Sequence, residues 1–362
     1  LKEGKEMRLN NMKFTLFILF IISLSLNLAQ VKQYKQNGVS YIENGENGQE
    51  GNKELIENMT IGGTETDKKY LFSNFTALAV DESNNIYVTD SQQQIRKFGK
   101  NGKFITTFGR IGEGPGEFRR VRKLIYKNGF VYLLDPLLKR ITKYSSDGKY
   151  KAMIKLYDIA VDFVINSKNE FILLVDDFAA KLRFVKYNEE GKIVGRFGEK
   201  VHSKSITEDH FYNTGKITID NNDNIYLGLI QPYRIEKYDN RGQLSSIISR
   251  KIDFPIVKIS SSEIKEEGKS LTVIYKGEGG KLPSIITRDI CFSMDRIYHL
   301  VSKTLKKDYF IDVFDSHGQY LYRINLRKGV EKIQCLKNKI ILLEENLFEN
   351  FEPDIAVFSL PN

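Results

Sequence analysis

The chain has 362 residues, 41% of them hydrophobic and 12% aromatic, with 23 Phe and 19 Tyr but no Trp. That is ample β-preferring apolar material for a buried core and excludes a chain disordered throughout. Lys and Arg outnumber Asp and Glu by 55 to 46, a formal net charge of +9; over this length the excess gives mild attraction to anionic surfaces and does not by itself indicate nucleic acid.

Residues 13–29, KFTLFILFIISLSLNLA, form an apolar run behind Arg8 and Lys13. The run is short for a membrane span, ends at Ala29 and is followed at once by polar sequence. Residues 1–29 therefore read as a signal peptide with upstream residues, and the product as exported: periplasmic, cell-surface or secreted. An uncleaved N-terminal anchor is the alternative. Residues 30–52, rich in Gln, Asn, Gly, Glu and Lys and without a period, read as a flexible leader.

From Phe72 to Phe118 the sequence lays out four short strands, FTALAVD, NNIYVTD, QIRKFGK and GKFITTFGRIG, closed by the turn GEGPGEF. The second of these strands recurs as NGFVYLLD, KNEFILLVDD, NDNIYLGL, MDRIYHLV and KNKIILLE. With Ile86, Val131, Phe171, Ile225, Ile297 and Ile340 taken as equivalent, the intervals are 45, 40, 54, 72 and 43 residues. These bracket the roughly 40–45-residue period of propeller blades, the two long ones carrying insertions. An apolar residue opens the blades at Phe72, Phe118, Tyr157, Phe211 and Leu326; Pro283 stands there in the fifth. The third and fourth strands repeat as hairpins with Gly102, Gly148, Gly191, Gly242 and Gly318 at one place in the turn, where a positive φ is tolerated.

The last copy ends at Asn362 after three strands, while KELIENMTIGG (53–63) resembles a fourth strand without its blade. Joining the two closes the ring and removes exposed sheet edges. The prediction is an all-β, six-bladed β-propeller of four-stranded antiparallel blades over residues 53–362, closed by the strand at 53–63 and interrupted by an insertion at 260–283. Cys291 and Cys335 fall on inner strands of adjacent blades, but at offsets that differ by one residue, which favours two buried thiols over a disulfide.

The pattern VD-x-x-x-NIYV-x-D, a basic residue, a KF or KY strand end, GK and FG-x-x-G-x-GPGEF resembles the NHL-repeat family of six-bladed propellers, in particular exported bacterial members. In that family the second strand ends in Asp with a basic residue about five positions later, as with Asp135 and Arg140; Asp90 lacks it, and the fourth blade has Gly228 and Leu229 where Asp is expected. The resemblance implies the fold and leaves the activity open, since such propellers host enzymes, scaffolds and nucleic-acid binders.

Propeller topology gathers the inter-blade connections and the loops between second and third strands on one face, the default binding face. Arg110, Arg119, Arg120 and Arg122, with Lys139 and Arg140, are candidates there for holding a carboxylate or phosphate through guanidinium forks. His202, Glu208, Asp209 and His210 offer imidazole and carboxylate for a metal or a general base. Asp90, Asp135, Asp176 and Asp177 read as acceptors of backbone hydrogen bonds at strand exits. The leading functional expectation is an exported, non-catalytic propeller that binds a protein, peptide or glycan on this face, with no cofactor. The alternative is a metal-dependent lyase or lactonase-like hydrolase with Ca or Zn over the central channel. RNA binding through a basic face ranks third, as export argues against a nucleic-acid partner.

Overall fold

The computed structural model describes residues 31–361, apart from 64–66, 93, 176–179, 203–205, 253–258, 268–269, 278–283, 305–307, 328 and 346–352. Four-stranded antiparallel sheets radiate from a common axis as six blades. Blade 1 comprises Ala77–Val80, Ile86–Thr89, Ile95–Phe98 and Phe104–Phe108; blade 2 comprises Lys123–Lys127, Phe130–Asp135, Arg140–Ser145 and Tyr150–Lys155. Blade 3 starts with Ala160–Ile165, blade 4 with Gly215–Ile219, blade 5 with Ser284–Ser293 and blade 6 with Gly329–Cys335. Blade 6 is completed by Ile56–Gly62 pairing antiparallel with Asp354–Ser359, so the ring closes as the repeats predict.

The repeat motif has a local physical cause. In blade 1 the Asp81 carboxylate accepts from the Ser83 and Asn85 amides, the Asn85 side chain and the Tyr87 hydroxyl. Asp220 repeats this with Asn222, Asn224 and Tyr226. Each carboxylate thereby satisfies a tight turn whose Asn84 or Asp223 sits at φ 62°. The hairpin glycines, at φ 76–89°, add a packing constraint. A Cβ on Gly148 would lie 2.6 Å from the Phe108 ring and one on Gly242 2.6 Å from the Phe197 ring, each ring on the preceding blade's outer strand. Glycine there sets both the turn and the spacing of blades.

The core lies between the blades. Tyr132, Leu134, Phe163, Phe171, Leu173 and Tyr187, for example, pack blade 2 on blade 3. Phe72, Phe118 and Phe211 are buried as blade openers, whereas Tyr157 is exposed and its neighbour Leu156 takes the buried place. Buried ion pairs add to two junctions. Arg183 of blade 3 pairs with Glu236 of blade 4, and Arg250 of blade 4 reaches Asp312 of blade 5 at 2.6 Å. Burial alone would raise the Asp312 carboxyl, but Arg250 and Arg323 outweigh it and hold it below the usual range.

Two expectations change. Residues 30–52 are not a featureless leader: Lys32–Gln36 and Val39–Asn44 form a hairpin whose second strand pairs in parallel with Leu244–Arg250, extending blade 4 to six strands. The chain then runs along the outer edge of blade 5, with the amides of Glu50 and Lys53 donating to Leu321 and Arg323 carbonyls at 2.9 Å. Polar side chains suit such outermost strands, which is why composition alone reads as disorder. Cys291 and Cys335 form a disulfide with Cα atoms 5.8 Å apart, tying the inner strands of blades 5 and 6. The one-residue offset puts the two cysteines on opposite faces of equivalent strands, since side chains alternate along a strand, and those are the faces that blades 5 and 6 pack against each other. Within the insertion, Ile259–Glu267 and Ser270–Gly277 pair as a two-stranded antiparallel hairpin. The apolar run at 13–29, Asp176, Asp177 and Pro283 lie outside the described residues.

Candidate functional site

All six inner strands line a central cavity of about 270 Å³. Its walls are settled by register. The partners of Thr89, Leu134, Leu174, Gly228, Leu300 and Leu343 on the inner strands are Ala77, Lys123, Asp162, Lys216, Asp289 and Lys332. One equivalent position, taken blade by blade, therefore reads Ala, Lys, Asp, Lys, Asp, Lys. In blades 3, 5 and 6 a register irregularity immediately precedes it; a bulge there re-aims the following side chain, as bulges beside functional sites do. All six residues line the cavity, with Arg122 beside Lys123.

The two aspartates act alike. Asp162 accepts from the Phe163 amide at 2.8 Å and, across to blade 4, from the Ile217 amide at 2.9 Å. Asp289 accepts from Ile290 at 3.0 Å and, across to blade 6, from Ile333 at 3.1 Å. Inner-strand amides facing the channel have no neighbouring strand, and these carboxylates supply the missing acceptors. Lys123 pairs with Asp162 at 2.7 Å and also donates to the Ile217 carbonyl at 3.0 Å. Burial pushes the Asp162 carboxyl up, but Lys123 and Lys216 outweigh it and leave it below the ordinary carboxylate range.

The cations are in excess. Five cations, Arg122, Lys123, Lys127, Lys216 and Lys332, line this confined, low-dielectric space together with two carboxylates, Asp162 and Asp289. Among the described residues no carboxylate lies within 4.0 Å of Lys216 or Lys332. Desolvation first, and then repulsion from Lys332 and Arg122, push Lys216 well below the ordinary lysine range despite Asp162 and Asp289. Such a concentration of positive potential, with Lys123 at the start of its strand next to the inter-blade loop, can hold an anion entering from the loop-bearing face.

The arginines proposed from the sequence separate. Arg110 pairs with Glu117 at 2.7 Å and Arg119 pairs with Glu113. Arg140 is buried and donates to the carbonyls of Glu113 at 2.8 Å, Gly114 at 3.1 Å and Glu117 at 2.6 Å, clamping the GEGPGEF turn. Arg120 and Lys139 are exposed. Arg122 alone reaches the channel, donating through Nε to the Val161 carbonyl at 3.0 Å. Asp135 accepts from the Arg119 and Leu137 amides at 2.7 and 3.0 Å, the strand-exit role expected of it. Asp90 does the same for Ser73 and Gln92 and pairs with Arg96, one place beyond the expected offset.

His202, Glu208, Asp209 and His210 lie on and before the helix Ile206–Asn213. His202 Nδ1 is 3.7 Å from Asp209 Oδ2. No group of three or more His, Cys, Asp or Glu residues is arranged to hold a metal ion among the described residues.

Residues 53–234 match the family described as "Domain of unknown function (DUF4934)". The chain belongs to this family. No curated protein compared with this DUF4934 member matches it in sequence. Among solved structures, it is similar to an exported protein of Bacteroides fragilis at 12% identity and TM-score 0.58, covering 89% of this chain and 100% of that one. It is also similar to a DUF4221 family member from Bacteroides vulgatus at 10% identity and TM-score 0.57, covering 85% and 98%. Virginiamycin B lyase from Staphylococcus aureus follows at 13% identity and TM-score 0.49, covering 85% and 99%. At these identities the likeness is one of fold.

Sequence reasoning missed the ring of charges. Its members stand eight or nine residues before each second-strand anchor, a spacing present in the repeat alignment. Read singly, each looks like a solvated residue of an alternating strand; only superposition of the blades shows the alternation of sign.

Proposed function

We propose that this DUF4934 protein is an exported, non-catalytic propeller that binds an acidic peptide or glycan by seating an anionic group in the central channel at the loop-bearing face. The single observation carrying this reading is that Lys216 and Lys332 line the cavity with no carboxylate within 4.0 Å among the described residues, while Lys123 is paired with Asp162. A folded protein keeps uncompensated charge inside at a cost to stability, and selection for a ligand of opposite sign accounts for its retention. The exported Bacteroides fragilis protein of like fold and the disulfide support an oxidising, extracytoplasmic setting.

The test is binding of glucuronate, a glutamate-rich peptide and inorganic phosphate, followed by calorimetry and thermal unfolding at low and moderate salt. Wild type is expected to bind at least one of them, more weakly as salt rises, and the Lys216→Met/Lys332→Met double variant is expected to lose that binding. Equal behaviour of wild type and variant, or no binding of any probe, overturns the reading.

A further inference from the structure

The charged ring has a three-fold rhythm that is broken once. Blades 3 and 5 each present an aspartate, and blades 2, 4 and 6 each present a lysine. Blade 1 presents Ala77 where the rhythm calls for a third aspartate. The consequences are local. Each aspartate accepts from the next amide of its own strand and from the amide one place past the ring lysine on the following blade. For Ala77 the corresponding donors are the Leu78 and Leu124 amides, which the same register turns toward the channel. No side chain among the described residues accepts from either. In the complete unit Lys123, on the preceding blade, also pairs with the aspartate; for Ala77 that lysine is Lys332, which has no carboxylate within 4.0 Å among the described residues.

We infer that blade 1 holds the carboxylate subsite of the channel: a ligand carboxylate seats beside Ala77 and stands in for the absent aspartate. It accepts from the Leu78 and Leu124 amides and pairs with Lys332, as Asp162 accepts from Phe163 and Ile217 and pairs with Lys123. This rests on the channel-binding reading above and adds to it a position, a donor set and a ligand class. The recognised group is a planar carboxylate with two acceptor oxygens, as on a uronic acid or an acidic side chain. The methyl group of Ala77 is what leaves the place open, since an aspartate fills it with the chain's own carboxylate.

The experiment compares wild type with Ala77→Asp, using acetate and glucuronate as probes and hydrogen exchange as a second readout. In wild type, both probes should slow exchange in peptides covering residues 76–80 and 122–126 more than in those covering 161–165 and 288–292. Ala77→Asp should lose affinity for both probes tenfold or more and show the slowed exchange at 122–126 without any ligand. Retention of wild-type affinity in Ala77→Asp, together with loss in Lys216→Met/Lys332→Met, overturns the subsite while leaving channel binding standing. No binding by wild type overturns both. Should Ala77→Asp fail to fold, the exchange pattern of wild type decides alone: protection confined to segments other than 76–80 and 122–126 refutes the assignment.

Discussion

His299 provides a sharp test of the packing next to the channel. It is fully buried on the second strand of blade 5 and stacked on Tyr233 with ring centroids 5.4 Å apart. Thr287 Oγ1 donates to the Leu229 carbonyl and lies 2.8 Å from His299 Nε2, so the threonine oxygen receives the Nε2 proton. His299 Nδ1 is buried without a hydrogen-bond partner. Burial therefore lowers the imidazole from 6.5 to about 4, only partly opposed by Asp312. The unfolded chain binds the proton more readily than the folded one between these values, so the histidine's contribution is intact above 6.5 and is lost as pH falls toward 4. From this shift the loss at pH 5.0 is about 2 kcal/mol, reaching ~3.4 kcal/mol at still lower pH. Urea unfolding of wild type and His299→Gln at pH 7.5 and 5.0 measures it. The glutamine amide can still donate to Thr287 and does not titrate, and carboxylates such as Asp312 contribute equally to both proteins. Wild type should lose about 2 kcal/mol more than the variant on acidification; equal losses would refute a neutral, buried imidazole.

Two further predictions concern the channel and the ring. Lys216→Met should raise stability by about 1–2 kcal/mol at neutral pH, because it removes a lining amine that has no carboxylate within 4.0 Å among the described residues. Since the lysine is depressed in the folded state, the stability of wild type should also rise relative to the variant as pH increases toward the ordinary lysine range; a destabilised variant in urea unfolding contradicts the charge argument. Cys291→Ser/Cys335→Ser should cost about 2–4 kcal/mol, as expected for a bridge closing a loop of this length, and dithiothreitol should lower wild type to the variant's level. A variant as stable as oxidised wild type would show that the bridge contributes nothing.

Much of the architecture was legible in the chain because its signals are local and repeated. Asp81 and Asp220 clasp their turns, the hairpin glycines take positive φ, and the orphan strand at Ile56–Gly62 completes blade 6, all from patterns that a periodic sequence exposes. Composition misled at residues 32–44, where polar strands gain their pairing from the edge of blade 4 and carry no amphipathic pattern of their own. The disulfide also escaped, since a one-residue offset looks like a mismatch until two packed blades show that it turns Cys291 and Cys335 toward each other.

The candidate site divides in the same way. Sequence identified an arginine-rich turn, but only the fold shows that Arg140 is spent on the backbone of that turn while Arg122 reaches the channel. The residue types at positions 77, 123, 162, 216, 289 and 332 were determined by the sequence alone. Their meaning was decided by tertiary structure, because closing the ring brings six inner strands, some 40 to 70 residues apart along the chain, around one cavity. Charges that would be screened and independent on separate strands become neighbours in a confined space, where their signs must alternate or be balanced by a ligand.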